Sequence, residues 1–385
     1  SQACSSSDSR NRRTSNVISN SFPVRSPGLT RLRYPTPALL AFHRTRSPTA
    51  MPRPRISVLL PAWNAASTLT ACLESLLAQS ENDWEGILVD DGSTDRTLKI
   101  ARDLEARDPR IRVIEQPHSG IVESLNVGLD ACRGEFIARM DADDRMHPDR
   151  LEVQREALET NPDWAAVGGQ VELVPAESVT QGRADYAHWL NAVSTPDQVR
   201  REAFVECPIA HPALFARSES MREFGYRDRG WPEDYDLILR WLGAGLQLAN
   251  VPRPLLEWRD TPGRLSRTSP VYEIDQFTRC KAFFLFEHFL KRRPDYVLWG
   301  FGATGRALRG ELEALGAQPT QIVEVHPGRI GQSIHGAPVI SPAALPEPGN
   351  VKLVASVAGP GPRAKIRAAL EARGYRETID YVCAA

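Results

Sequence analysis

From Ile56 onward the apolar and polar positions follow two periods in turn. Residues 56–61 (Ile-Ser-Val-Leu-Leu-Pro) are a short β-branched run stopped by proline, which predicts a strand buried on both faces. Leu69, Cys72, Leu73, Leu76 and Leu77 then recur at helical spacing, with Asn64 and Ser67 ahead of them as N-caps. Residues 84–90 predict a second strand that runs into Asp90-Asp91-Gly92-Ser93-Thr94-Asp95. Leu98, Ile100, Ala101 and Leu104 predict the next helix, residues 111–114 a third strand, and Leu125 with Leu129 another helix. Residues 135–140 predict a fourth strand, followed directly by Asp141-Ala142-Asp143-Asp144. Four strand–helix units in series imply an α/β fold with a central, mostly parallel sheet covered on both faces. Ligands of such sheets bind beyond the carboxyl ends of the strands, where both acidic runs lie.

The remaining composition narrows the class. The 385 residues are 42% hydrophobic and 25% charged, ordinary for a folded chain of two or three domains. With 47 basic against 48 acidic residues the net charge is -1, which argues against nucleic acid as a partner. The six cysteines (Cys4, Cys72, Cys132, Cys207, Cys280, Cys383) show no CxxC or CxxH pairing, so reduced thiols in a cytoplasmic protein are expected. No apolar run has the length needed to span a bilayer.

The first fifty residues differ from the rest. They hold eight Arg, no Lys and one acid, Asp8, with abundant Ser and Pro and no apolar period. Such a segment buries too little surface to offset its ordering entropy, so residues 1–52 are expected to be a disordered extension. Three origins compete: a translated upstream sequence with Met51 as the true start, a disordered tail, or an organelle transit peptide. The Ser at position 1, where a start Met would stand, favours the first.

Asp141, Asp143 and Asp144 repel one another unless a cation or a hydrogen-bonding ligand compensates. Mg²⁺ and Mn²⁺ prefer oxygen ligands, and Mg²⁺ takes one or two carboxylates plus substrate phosphates, so Asp-x-Asp suggests a metal bridging protein and phosphorylated ligand. The plainer reading is a solvated turn that caps the next helix through Asp144 or His147-Pro148. Asp91 could accept hydrogen bonds from a nucleotide, or the Asp90–Asp95 run could be a strand-to-helix turn eased by Gly92 and capped by Ser93, Thr94 or Asp95. Glu233-Asp234 reads as a helix start, with Asp234 as N-cap of a helix over 235–242.

Here the order of motifs becomes specific. Leu60-Pro61-Ala62-Trp63-Asn64, Val89-Asp90-Asp91-Gly92-Ser93-Thr94-Asp95, Gly120-Ile121-Val122-Glu123-Ser124-Leu125-Asn126-Val127-Gly128-Leu129 and Ala138-Arg139-Met140-Asp141-Ala142-Asp143-Asp144 follow one another. Ile209-Ala210-His211-Pro212-Ala213 and Trp231-Pro232-Glu233-Asp234-Tyr235-Asp236-Leu237 come after them. Over about residues 54–290 the chain resembles the family 2 inverting glycosyltransferases, which have the GT-A nucleotide-sugar-binding fold. The resemblance implies that Asp91 contacts the base, Asp141 the ribose, and Asp143, with Asp141, a divalent metal (Mg²⁺ or Mn²⁺) on the diphosphate. It implies donor contacts at Pro61, Asn64, Asn126 and Arg139, and a general base at Asp234 beside Glu233. It further implies a UDP- or dTDP-type sugar donor, a saccharide or lipid-linked acceptor, and a role in surface polysaccharide assembly.

One departure stands out. Many relatives carry a His near position 261 that completes the metal shell, whereas Trp258-Arg259-Asp260-Thr261-Pro262-Gly263-Arg264-Leu265-Ser266-Arg267 has none. Arg259, Arg264 and Arg267 offer guanidinium groups to a diphosphate instead, or belong to a solvated loop. His211 is either an acceptor contact or a structural histidine.

Phe283, Phe284, Phe286, Phe289 and Leu290, flanked by Lys281, Lys291 and Arg292, predict a helix that packs between domains or lies on a membrane surface. Beyond it, a strand at 296–299 precedes Gly300-Phe301-Gly302-Ala303-Thr304-Gly305, a helix through Leu315, and a strand at 322–325 that carries Glu324. This G-x-G-x-x-G arrangement with an acid about 20 residues on suits a phosphate-cradling turn. The stretch 331–341 resembles small Rossmann-like domains of some sugar-modifying enzymes. A second nucleotide site at Gly300, Gly302, Gly305 and Glu324 competes with a structural or oligomerising role.

The expected organisation is therefore an extension over 1–52, a GT-A domain over 53–292 and a Rossmann-like domain over 293–385. The expected place is the cytoplasm or the inner face of a membrane, with peripheral contact, and a homo-oligomer is a further expectation. Two rivals remain: a nicotinamide-dependent oxidoreductase built on the C-terminal glycine turn, and a nucleotide-sensing scaffold.

Overall fold

The computed structural model describes residues 53–260 and 263–385, so the expectations for residues 1–52 and for Thr261 lie outside the described residues. Strands β1 (Ile56–Ala62) and β2 (Trp84–Asp91) are buried at every position because both faces of their sheet are covered. Alternate side chains part: Val58 and Leu60 enter one core, Leu59 the other. β3 (Ile111–Gln116) and β4 (Phe136–Arg139) join them in parallel, so β3-β2-β1-β4 forms half of an eight-stranded sheet. Helices α1 (Leu69–Leu77), α2 (Thr97–Glu105) and α3 (Ile121–Ala131) connect these strands.

The other half has no counterpart among the expected strands. It contains β5 (Arg145–Met146), β6 (Trp164–Val174), β7 (Phe215–Arg217) and β8 (Gln247–Arg259), and the full order is β3-β2-β1-β4-β7-β6-β8-β5. β7 runs antiparallel to β4 and β6, while β6 and β8 pair in parallel. Pro252 and Pro254 lie in β8 where the β6 register jumps between Gly169 and Gln170, so they sit in an irregularity of the ladder. Helices α4 (Arg150–Thr160), α5 (Gln181–Asn191), α6 (Pro196–Glu202), α7 (Ser218–Phe224) and α8 (Glu233–Gly243) fill the connections.

Two expected caps are corrected. Thr68, not Asn64 or Ser67, stands at the start of α1, and it makes no side-chain cap. The Asn64 carboxamide oxygen instead accepts from the Thr94 amide at 2.8 Å, which ties the β1 loop to the β2 loop. Asp234 is not the N-cap of α8 but its second residue, after Pro232 and Glu233.

After the short helix α9 (Leu265–Thr268), α10 (Ile274–Leu285) and a π-helical turn over Phe286–Leu290 lead to a second sheet. Phe284 enters a core of the large sheet, and Ala282 and Leu285 enter a core of the small one. The Phe283 ring lies 5.5 Å from that of Trp231. The apolar face of this helix is thus inside the protein, which corrects its membrane-surface reading. Lys281 Nζ donates to the Val205 and Ala384 carbonyls at 3.0 and 2.9 Å, a further tie between the two sheets.

The second sheet comprises β9 (Asp295–Trp299), β10 (Gln318–Val323), β11 (Ser333–Ile334), β12 (Ala337–Ile340), β13 (Lys352–Ala355) and β14 (Tyr381–Cys383). Its order is β11-β12-β10-β9-β13-β14, parallel except at β11. α11 (Ala303–Ala314) and α12 (Pro360–Glu371) pack against it. Cys72, Cys132, Cys207, Cys280 and Cys383 are free and buried.

Phe215, fully buried on the short strand that joins the two halves of the large sheet, stacks on Phe136 at 5.5 Å. Phe215→Ala should lower unfolding free energy by about 3–5 kcal/mol, as cavity-forming Phe→Ala changes do, measured by denaturant unfolding. A loss below about 1 kcal/mol would mean that this junction is not a tightly packed part of the core.

Candidate active site

The carboxyl ends of β1, β2 and β4, the start of α8 and the loop after β8 border one cleft of about 1110 Å³. Pro61, Asn64, Asp91, Arg139, Asp141, Asp143, His211, Glu233, Asp234 and Arg264 all line it, although they come from positions 61 to 264. Asn126 and Arg259 do not line it, nor do Gly300, Gly302, Gly305 and Glu324, which belong to the second sheet.

Asp91 is the fixed point of the donor side. Its carboxylate accepts from Gln116 Nε2 at 2.7 Å and from the amides of Ser119 and Gly120 at 2.9 Å, and His118 Nδ1 lies 2.8 Å away. Burial alone would raise its pKa, but these bonds outweigh burial and hold the carboxyl below the usual range. Gly92, at φ 69°, turns the chain next to the His118 backbone, where a Cβ would meet the His118 amide nitrogen at 2.6 Å. Arg96, not Ser93, Thr94 or Asp95, stands at the N-cap of α2, and Asp95 just before it accepts from the Thr97 amide at 2.9 Å.

At the end of β4 three carboxylates crowd together: ligand oxygens of Asp141, Asp143 and Asp144 lie within 4.8 Å of one another. Arg139, buried beneath them, pairs with Asp141 at 2.6 Å. Arg264 reaches down from the β8 loop to Asp141 at 3.3 Å and Asp143 at 3.9 Å. Burial pushes Asp141 up, yet Arg139 and Arg264 outweigh it and leave the carboxyl low. Burial and then the charge of Asp141 raise Asp143. Burial raises Asp144 well above the carboxylate range, and its Oδ2 has no hydrogen-bond partner among the described residues. An all-oxygen donor set with an orphaned buried oxygen fits a hard divalent cation.

Arg259, read from the sequence as a diphosphate contact or part of a solvated loop, does not line the cleft. Its Nε donates to the Asp143 carbonyl at 2.9 Å and its amide to Asp144 Oδ1 at 2.7 Å, so it braces the acidic turn from behind. Arg267 lines the cleft but pairs with buried Asp260 at 2.6 Å.

On the opposite wall, Glu233 and Asp234 open α8. The Tyr272 hydroxyl donates to Glu233 at 2.6 Å, and His211 Nδ1 lies 3.7 Å from the same carboxylate. His211 Nε2 shares a 2.8 Å hydrogen bond with the Tyr226 hydroxyl. Burial, with the charge of Arg139, pushes the imidazole well below its usual range, so His211 is neutral. Burial and the neighbouring Asp234 raise Glu233 to about 7. Burial raises Asp234 to about 6, against a 2.7 Å hydrogen bond from the Tyr235 amide. A buried carboxylate of raised pKa is a competent proton acceptor near neutral pH.

Asn126, expected at the donor, uses both ends of its carboxamide on the Tyr226 backbone, at 3.0 and 3.1 Å. It therefore holds Tyr226, which holds His211, which faces Glu233. Sequence reasoning did not single out Trp63, His118, Tyr226 or Tyr272. Trp63 is half exposed at the lip of the cleft and stacks on His118 at 4.5 Å; a large aromatic in a strand-to-helix turn was its one visible signal. The contacts of the others span 15 to 39 residues and leave no local pattern.

Residues 57–223 match the family described as glycosyl transferase family 2. The chain is 34% identical over 228 residues to the putative glycosyltransferase EpsE of Bacillus subtilis, covering 58% of this chain and 79% of that protein. It is 40% identical over 100 residues to the chondroitin synthase of Escherichia coli, 26% of this chain but 15% of that one. Among solved structures, the fold is similar to S. aureus TarS 1–349 in complex with UDP-GlcNAc, with a TM-score of 0.51, 17% identity, and coverage of 67% and 71% of the two chains.

Proposed function

The chain belongs to glycosyltransferase family 2, and from that premise we propose that its cleft performs metal-dependent, inverting transfer of a sugar from a nucleotide donor to a saccharide or lipid-linked acceptor. The observation that carries this reading is that Asp91, Asp141, Asp143 and the Glu233–Asp234 pair open onto one cleft, with Asp144 buried beside the aspartate pair. The redox rival leaves all of these carboxylates without a task.

The nucleoside end of the donor would sit on the Asp91 side, under Trp63 and His118. UDP- and dTDP-type donors share the uracil-like base that fits this reading. Asp143 and Asp141 would hold a divalent cation, Mg²⁺ or Mn²⁺, with the unpaired Asp144 oxygen close by. When bound, such a cation offsets the negative charge that grows on the leaving diphosphate. Arg264, between Asp141 and Asp143, can add a guanidinium to the same phosphates.

Asp234 then takes the proton of the acceptor hydroxyl as that oxygen attacks the anomeric carbon. Attack from the face opposite the leaving group inverts the centre, so a single base suffices. Glu233, fixed by Tyr272 and faced by neutral His211, orients the acceptor or the base itself. The name of the chondroitin synthase relative points to a polysaccharide product, and assembly of a surface polysaccharide is the proposed setting. No helix among the described residues is long and apolar enough to cross a membrane. A lipid-linked acceptor would bring the enzyme to the inner membrane face by peripheral contact.

Asp234→Asn should cut transfer by roughly 10²–10⁴-fold while nucleotide binding stays near wild type. The sign of the pH effect follows from the raised pKa: the base acts only when ionised, so wild-type activity falls as pH drops through about 6. A variant with wild-type turnover would remove Asp234 from the mechanism. NMR of the product should show an anomeric configuration opposite to the donor's; retention would refute single-base inversion.

A further inference from the structure

The second sheet is built from residues remote in sequence from most of the acidic cleft. From β9 the chain moves outward through β10 to β12, then returns to β13 on the other side of β9 and continues to β14. Connections therefore reverse direction between β9 and β13, and in open parallel sheets the crevice at such a reversal is where ligands bind.

The end of β9 enters the crevice through Gly300, at φ 98°, where a Cβ would collide with the Val357 side chain. A Cβ on Gly305 would collide with the Gly300 carbonyl, so α11 starts tight against the strand end. Gly302 differs: a Cβ there would meet nothing within 4 Å, so this glycine borders open space. Gly302 is the N-cap of the twelve-residue α11, and no side chain caps that terminus. Unmet amides and the positive end of the helix dipole face outward there. Arg306 Nη1 folds back to the Phe301 carbonyl at 3.4 Å, which sets a guanidinium at the same turn.

The independent observation comes from β13. Ser356 follows it directly, its amide still bonded to the Trp299 carbonyl at 2.9 Å. Val354 lies in the core with Leu308 and Leu312 of α11, while Leu353 and Ala355 lie in the opposite core. Alternation then sends the Ser356 side chain toward α11. Its first turn is directly adjacent, since the Thr304 hydroxyl donates to the Ser356 carbonyl at 3.4 Å. Ser356 is 1% exposed, and its Oγ has no hydrogen-bond partner among the described residues. A buried hydroxyl without a partner is costly unless a ligand supplies one.

We infer that the crevice between the α11 N-terminus and the end of β13 binds the diphosphate group of a nucleotide. The amides of the first turn, Ser356 Oγ and Arg306 take the phosphate oxygens, and Gly302 leaves room for them. Glu324, at the end of β10, is held by Arg329 at 3.1 Å rather than free for a ribose. Recognition therefore runs through the phosphates, and adenine and uridine nucleotides share it.

Hydrogen–deuterium exchange on the full chain with NAD⁺, ADP or UDP tests this. Each diphosphate should slow exchange in 300–306 and 356–361, and UDP should also protect the acidic cleft around 118–124. The strongest arm identifies the base. Gly302→Asp places a carboxylate at an N-cap with φ -76°, where it costs no space and caps the helix, so thermal stability should hold or rise. Affinity at 300–306 should nevertheless fall at least about tenfold through charge repulsion, with UDP protection at 118–124 retained. Arg306→Glu, on an exposed side chain, should weaken the same protection. Absence of protection at 300–306 with all three probes at millimolar concentration would overturn the proposal. So would protection that survives both substitutions.

Discussion

The large sheet is organised around a crowded cluster of carboxylates at one strand end. Asp141, Asp143 and Asp144 leave β4 within a few ångströms of one another, and repulsion at that distance opposes folding unless positive charge answers it. The fold supplies Arg139 from within the strand, Arg264 from the β8 loop, and fully buried Arg150 behind, whose Nη2 donates to the Arg139 carbonyl at 2.8 Å. Burial still raises Asp143 and Asp144, and Asp144 keeps an oxygen without a partner among the described residues. Structural guanidiniums fix the shape of the turn, and the carboxylates of Asp141 and Asp143 face the cleft where a metal and diphosphate would lie.

The same turn shows how support and chemistry are divided. Arg259 and Asn126 do not line the cleft, yet each supports a residue that does: Arg259 bonds the carbonyl of Asp143, and Asn126 clamps the backbone of Tyr226, whose hydroxyl bonds His211. A residue in a recognisable motif thus need not be a ligand contact. Asp91 makes the converse point, since four groups already occupy its carboxylate and it is as much the anchor of the β3–α3 loop as a surface for a base.

The first half of the fold could be read from the sequence because β1, β2 and β4 are buried at every position and read as mainly apolar runs, while the edge strand β3 alternates buried and exposed residues. β6 could not, because Ala165, Ala166, Gly168 and Gly169 are small and owe their burial to β7 and β8 rather than to their own bulk. β8 was hidden by Pro252 and Pro254, which usually exclude a strand and here sit at a register shift. The acidic motifs of the cleft were legible as local runs. The residues that tune them were not: Tyr272 meets Glu233 across 39 positions and Arg264 meets Asp141 across 123, and only tertiary structure brings such pairs together.

The central claim is that the Asp cluster and the Asp91 side form a single donor site that needs a cation to hold a diphosphate. Calorimetric titration of UDP with and without Mn²⁺, on wild type and on Asp143→Asn, tests it most directly. The account predicts that Mn²⁺ tightens UDP binding to the wild type by at least about tenfold and that Asp143→Asn loses this gain while still binding UDP weakly without metal. Equal UDP affinity with and without Mn²⁺ in the wild type, or a full Mn²⁺ effect in the variant, would contradict it.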